Sequence, residues 1–446
     1  MTRLTQILAT AALVLTATVT LPVGLPPAQA ASPGLSLVSQ KQLSPRLLEL
    51  TMHTSALPTD THVRVLLPTG YATSGKRYPV LYLLNGGGGS YLDWTVSGGA
   101  EKTTASAQAI VVMPDGGGGG NYTDWYGTDG SGFRPRWETF HITQLLPWVD
   151  KHFRTIARRD QRAIAGLSMG GNGALHYAAR HPDLFVAAAS WSGADDVFNP
   201  IIRPITETTG IADGCAPGAV FGPSVTQELL WRASNPVDLA SNLKGLWLSL
   251  RFGNGLPGGP DGSTGFDPIE HAVHDANVNV HQQLVAAGIP HVYDDYGPGA
   301  HNWFYWSRDL KQDLPSILRV FSQHRAAPTT ITHWSDAASY DVFGWSVRLT
   351  RAVAETSHLI GASSRGFTLT GSGTALVRTP ATFTPGRIVS ISLKDAKGSR
   401  TLTYKVGADR RVSVPVDLGP SNTAQQYTVQ AKASGTTVRE AHVELS

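Results

Sequence analysis

The chain has 446 residues, too many for one ordinary core, and its apolar (41%) and charged (15%) fractions exclude an intrinsically disordered protein. A formal net charge of only +3, with no dense Lys/Arg run, excludes a protein that grips nucleic-acid phosphates. The single cysteine, Cys215, excludes an intramolecular disulfide, so stability must come from core packing.

In chain order, the first pattern is an export signal. Arg3 supplies a positive start, Ile7 to Thr20 carries no charge, and Ala28-Gln29-Ala30 precedes Ala31 as a small-x-small cleavage pattern. That apolar run is shorter than the roughly 20 residues that span a bilayer and is broken by Pro22 and Pro26. Residues 1–30 are therefore expected to be removed, leaving a secreted chain without an integral membrane segment.

From residue 31 to 326, strand-like and helix-like patterns alternate. Tyr78–Leu84, Ala109–Met113, Arg162–Gly166, Leu184–Ser190 and Leu246–Leu250 are short apolar runs, several of them closed by Gly or Pro. Such runs, buried on both faces, predict a mostly parallel central sheet with ligands beyond the carboxyl ends of its strands. The spacing predicts a helix over Trp137–Phe153, kinked at Pro147, and another over Leu310–Phe321, with Pro315 near its start. From 327 to 446 the texture changes. Phe367–Thr370, Ile388–Leu393, Leu402–Val406, Val412–Leu418 and Tyr427–Gln430 alternate apolar and polar residues, which predicts a small all-β, sandwich-like domain.

The motif that carries chemistry is Gly166-Leu167-Ser168-Met169-Gly170. It follows a predicted strand and opens a predicted helix, the context of the nucleophile elbow in an α/β-hydrolase. A serine hydroxyl needs a base, and in this fold the order is Ser, acid, His. His301 sits late, in a glycine-rich loop after a strand-like stretch, and is preferred over His271, His274, His281 and His291. The acid is left open among Asp261, Asp267, Glu270 and Asp275. The N–H of Met169, at the helix start, and one from the glycine run after Leu84, with Gly87 favoured, are the expected oxyanion donors. Trp125 and Trp303 suit an acyl or sugar cleft. No phosphate-loop lysine follows either glycine run, and no H-E-x-x-H is present, so neither a nucleotide, a metal nor another cofactor is expected.

These residues resemble the secreted esterase family that includes the antigen 85 mycolyltransferases and esterase D. The resemblance rests on Leu81–Gly86, Ile110–Pro114, Asp124–Tyr126, Trp137–Phe140, Gly166–Gly170, His181-Pro182 and His301–Trp303, kept in order. It implies Glu270 as the acid, with Asp267 second, and Gly87 as the second oxyanion donor. Asn85 and Gly88 stand where antigen 85 proteins carry a sugar-binding Asp and Arg. The implied activity is hydrolysis of small-molecule, lipid or sugar esters, with Asn85 among the substrate contacts. Acyl transfer to a sugar or glycerol hydroxyl is the alternative, and a non-catalytic cell-wall binder the second. The C-terminal domain is a candidate for contact with cell-wall polysaccharide.

Overall fold

The computed structural model describes residues 34–446; the expected export signal, residues 1–30, lies outside them. Its first part is a nine-stranded sheet. The strands are β1 (Leu35–Gln42), β2 (Leu47–Thr54), β3 (Thr61–Leu66), β4 (Val80–Leu84), β5 (Ile110–Pro114), β6 (Arg162–Leu167), β7 (Ala187–Trp191), β8 (Trp247–Phe252) and β9 (Val292–Asp295). Their spatial order is β1-β2-β3-β5-β4-β6-β7-β8-β9. From β5 onward all neighbours run parallel, and β1 to β3 add an antiparallel edge. This is the mostly parallel α/β-hydrolase sheet expected from the apolar runs. The antiparallel edge was not foreseen, because β1 is exposed along nearly its whole length and has no buried face to pattern.

Strands β4, β5, β6 and β7 are buried at every residue, since both sheet faces are covered. The helices that matter are α1 (Leu146–His152), α2 (Met169–Arg180), α3 (Ile202–Glu207), α4 (Glu228–Ala233), α5 (Pro268–Ala286) and α6 (Trp303–Ser322). Val80, Tyr82, Leu84 and Ile164 share one core with Leu175 and Tyr177 of α2. The alternate residues Leu81, Leu83, Ala163 and Ala165 share the other with Leu310, Leu314 and Ile317 of α6. Each large aliphatic side chain so buried contributes on the order of 2 kcal/mol.

One helix forms as expected and one departs. Residues 137–152 are helical without a break, and a π-helical stretch, Thr139–Leu145, runs directly into α1, which carries Pro147. Helix α6 starts at Trp303 rather than Leu310, because the Asn302 side chain caps it by accepting from Phe304 N. Pro315 thus lies inside the helix, whose apolar face is held by the core.

Beyond α6, two antiparallel sheets form. The strands are β10 (Ile331–Ser335), β11 (Ser339–Val342), β12 (Trp345–Thr350), β13 (Ser357–Ser363), β14 (Gly366–Gly371) and β15 (Thr374–Arg378). They continue with β16 (Ile388–Asp395), β17 (Gly398–Lys405), β18 (Ser413–Asp417) and β19 (Arg439–Leu445). The six-stranded order is β10-β13-β14-β19-β16-β17 and the four-stranded order is β11-β12-β15-β18. Val347, Leu369, Val377, Val389 and Val414 form the core of these sheets. Tyr427–Gln430 is not a strand. Thr428 accepts from Ala431 N and caps a short helix, α7 (Val429–Ser434), which overrides the two-residue alternation.

The two parts meet in a packed seam. Trp334 of β10 joins the first part's core. The Asn242 side chain accepts from Trp334 N (2.8 Å) and donates to Trp334 O (2.9 Å), as a neighbouring strand would.

Candidate active site

The site lies where β5 and β6 leave opposite sides of β4, the point at which strand order reverses and the loops above the sheet part. Ser168 occupies the turn between β6 and α2 with φ 53° and ψ −121°, a conformation that a residue with a Cβ keeps only when its surroundings hold it. Its N–H donates to Trp191 O (3.0 Å), and its carbonyl accepts from Gly171, Asn172 and Ala194 N–H groups at 3.0 to 3.1 Å. The flanking glycines are required by close approach. A Cβ on Gly170 would lie 2.5 Å from the Asn85 carbonyl oxygen, and one on Gly166 would strike the Gly170 carbonyl. Behind this turn Asp195, fully buried, accepts from Ser190 Oγ (2.7 Å), and burial pushes its carboxyl pKa up to about 7.

His301 follows β9 and precedes α6. Its Nε2 stands 2.9 Å from Ser168 Oγ and its Nδ1 2.7 Å from Glu270 Oε2. Glu270, in the first turn of α5, is completely buried. Its other oxygen accepts from Gly253 N (2.7 Å), Ser192 Oγ (2.9 Å) and the Tyr296 hydroxyl (3.3 Å). Burial first, and the Glu270 carboxylate second, push the Tyr296 hydroxyl well above its ordinary pKa, so it remains a donor. With Oε1 filled by donors, Oε2 faces Nδ1–H and leaves the Nε2 lone pair for the Ser168 hydroxyl. Such a chain can take a proton from serine and return it to a leaving group.

Asp267, the second acid considered, takes a different place. It caps α5, accepting from Ile269 N and Glu270 N at 3.0 Å each, while its other oxygen accepts from His301 N at 2.8 Å. It therefore fixes the loop that carries His301 and does not bond the imidazole. Gly87 and Met169 are neighbours across the cleft, since a Cβ on Gly87 would stand 3.9 Å from Met169 Cβ. Neither N–H has a partner among the described residues, and the Met169 N–H lies at the positive end of α2.

The three expected substrate contacts divide. Trp303 lines the cleft beside His301. Asn85 does not line it. It is 1% exposed, and its Oδ1 accepts from Gly116 N (2.9 Å) and the Tyr122 hydroxyl (3.2 Å), tying the two glycine loops together. Trp125 is also buried, with its ring N–H donated to Gly120 O (3.1 Å). Both were expected at the surface of the cleft because a polar or aromatic residue beside a glycine run reads the same whether it faces in or out. Among the described residues, no group of three His, Cys, Asp or Glu side chains is arranged to hold a metal ion.

The sequence profile of the family described as "Putative esterase" matches residues 54–317, which hold every residue of this site. The chain belongs to this esterase family. An esterase of Mycobacterium tuberculosis (strain H37Rv) is 38% identical over 275 residues, covering 60% of this chain and 58% of that one. The match thus spans little more than half of that relative. A diacylglycerol acyltransferase/mycolyltransferase, Ag85B, of Mycolicibacterium smegmatis is 31% identical over 267 residues, 56% of this chain and 79% of that one. Among solved structures, an S-formylglutathione hydrolase from Agrobacterium tumefaciens shares the fold, with a TM-score of 0.50 at 16% identity over 64% of this chain and 99% of that one.

In this esterase-family chain Ser168 stands between two cavities. One, of about 310 Å³, is walled largely by apolar side chains, including Val197, Ile201, Ile202, Ile205 and Val273. The other, of about 410 Å³, is bordered by the first glycine loop, Asp93, His301, Trp303 and Trp306. Sequence reasoning missed the isoleucine wall and the Glu270 partners Ser192 and Tyr296. The isoleucines carried a signal, an apolar i, i+1, i+4 spacing at 201, 202 and 205, with 205 one helical turn from both others. Ser192 and Tyr296 carried none.

Proposed function

We propose that this chain is a secreted serine carboxylesterase that works through an acyl-enzyme. Ser168 Oγ attacks the ester carbonyl while His301 Nε2 takes its proton. Glu270 stabilises the imidazolium, and the amides of Gly87 and Met169 receive the charge on the carbonyl oxygen. The imidazolium then protonates the departing alkoxide. Water, deprotonated by the same nitrogen, releases the acid and restores Ser168.

The observation that carries this reading is the unbroken hydrogen-bond chain from Ser168 through His301 to buried Glu270, opening between two cavities of different character. The apolar cavity suits an acyl chain, and the cavity beside Asp93 and Trp303 suits the alcohol. Export is supported by Arg3, the apolar run Ile7–Thr20 and Ala28-Gln29-Ala30, and no helix among the described residues is long and apolar enough to cross a membrane.

Likeness to Ag85B keeps acyl transfer as the competing outcome. Water is favoured because Asn85 is turned inward and Gly88 has no side chain with which to hold an acceptor. The test is to supply a p-nitrophenyl ester with an excess of glycerol and of a disaccharide, and to resolve the products. Free acid as the dominant product supports the esterase; acylated glycerol or sugar in excess of free acid would replace it with the transferase.

A further inference from the structure

The apolar cavity is only as firm as the segment that walls it. Val197, Ile201, Ile202 and Ile205 all belong to the connection between β7 and β8, which folds over the sheet and carries α3 and α4. Short helices on a long connection have little stability of their own, so something outside the segment must fix their position.

Part of that support is the packing of Ile202 on Ala272, Val273 and Ala276 of α5, and part comes from the C-terminal part, which lies beyond the family match at residues 54–317. Arg232 of α4 is the joint. Its guanidinium lies 5.3 Å from the ring centre of Phe198, next to the cavity residue Val197, and 4.8 Å from the ring centre of Tyr427. Its nitrogens are fixed by Glu228 (2.7 and 3.0 Å) and Asp238 (2.7 Å). Asn235 ties this joint to the wall, accepting from Val197 N at 3.2 Å and donating to Asp238 Oδ2 at 2.8 Å.

On the C-terminal side, Lys432 donates to Glu228 (3.2 Å) and Gln425 to Gln227 (3.0 Å), so Tyr427 is pinned from both directions along the chain. Tyr427 itself has φ 67°, a left-handed conformation that a bulky residue holds only under constraint.

We propose that Tyr427, acting through Arg232 and Phe198, positions the cavity wall and thereby sets how well the site accepts long acyl chains. This rests on the reading of the apolar cavity as the acyl site. A cation within reach of two aromatic rings is attracted by each. Without the Tyr427 ring, Arg232 keeps its carboxylates but loses one of its two aromatic contacts, the one that ties it to the C-terminal part. The wall then relaxes away from a long chain, whereas a two-carbon acyl group does not reach that far. Tyr427 is a positioning residue, since it touches no reacting atom.

The test compares full-length wild type, Tyr427→Ala and Tyr427→Phe with p-nitrophenyl acetate and p-nitrophenyl octanoate. The same three proteins are titrated calorimetrically with octanoic acid, which reads the cavity without any turnover. Tyr427→Ala is expected to lower kcat/KM for the octanoate about tenfold, mainly through KM, and to leave the acetate within about twofold. Octanoic acid binding should weaken by a similar factor, and Tyr427→Phe should restore both.

Octanoic acid binding that is unchanged by Tyr427→Ala, or an equal fall for both esters, would overturn the proposal. Weaker octanoic acid binding in a protein that hydrolyses neither ester would support the brace and overturn the esterase reading instead.

Discussion

The corner around Glu270 and the seam around Arg180 both bury polar groups, and they use them for opposite ends. Around Glu270 both carboxylate oxygens have donors, and each donor leaves one direction for His301. In the seam, Arg180 holds Glu138 (2.9 Å) and Asp336 (3.0 Å), joining the two parts of the chain. Nearby, His176 has no partner for either ring nitrogen, and His333 has none for Nδ1, among the described residues. Burial pushes both imidazoles down to about 3, so they are neutral fillers at neutral pH. A fully bonded network fixes direction. An ion pair packed among uncharged imidazoles fastens two surfaces, and the aim of any one group matters less. Damage to the first should therefore appear in rate, and damage to the second in stability.

The largest effect is expected from Glu270→Gln. The amide oxygen can take over the bonds from Gly253 and Ser192, while the amide nitrogen would face His301 and favour the tautomer with the proton on Nε2. That tautomer cannot accept from Ser168, so kcat should fall by about 10⁴ while the thermal midpoint stays near that of wild type. A matching collapse of the midpoint would contradict the division of labour.

Asp336→Ala is the converse. It removes one of the two acids on the partly buried Arg180 and should cost about 2 kcal/mol, read by thermal or urea unfolding. The rate on a short ester at low temperature should be unchanged, and a large loss of rate there would tie the seam to the chemistry.

The last effect, unseen at neutral pH, is a change in pH dependence. His176 has a folded pKa below its unfolded value, so its neutral form contributes stability above about pH 6.5. That stability is lost as pH falls toward about 3. Replacing it with leucine should flatten the decline of the unfolding midpoint over that window. A decline as steep as that of wild type would show that other groups govern acid unfolding.

How much of this was legible in the sequence follows from what each residue must satisfy. The strands β4 to β8 announced themselves because burial on both faces demands unbroken apolar runs. Ser168 did so because its turn demands small neighbours at fixed spacing, where the Gly170 Cβ would meet the Asn85 carbonyl. His301 followed from chain order. The acid did not, because Asp267 and Glu270 lie three residues apart and both bond the His301 segment, one to its backbone and one to its ring. Only three dimensions separate them. Asn85 and Trp125 were misread for a related reason, since composition says nothing about which way a side chain turns. The helix at Val429 was hidden by a cap, where one Thr428 hydroxyl outweighs a pattern four residues long.

The central claim is that Ser168 is activated by His301 and open to a substrate. The most direct measurement is intact and peptide mass spectrometry of the purified chain after reaction with a fluorophosphonate, beside Ser168→Ala. The account predicts one covalent adduct, mapped to Ser168 and absent from the variant. A folded wild-type protein that stays unlabelled, or a variant labelled as readily elsewhere, would contradict it.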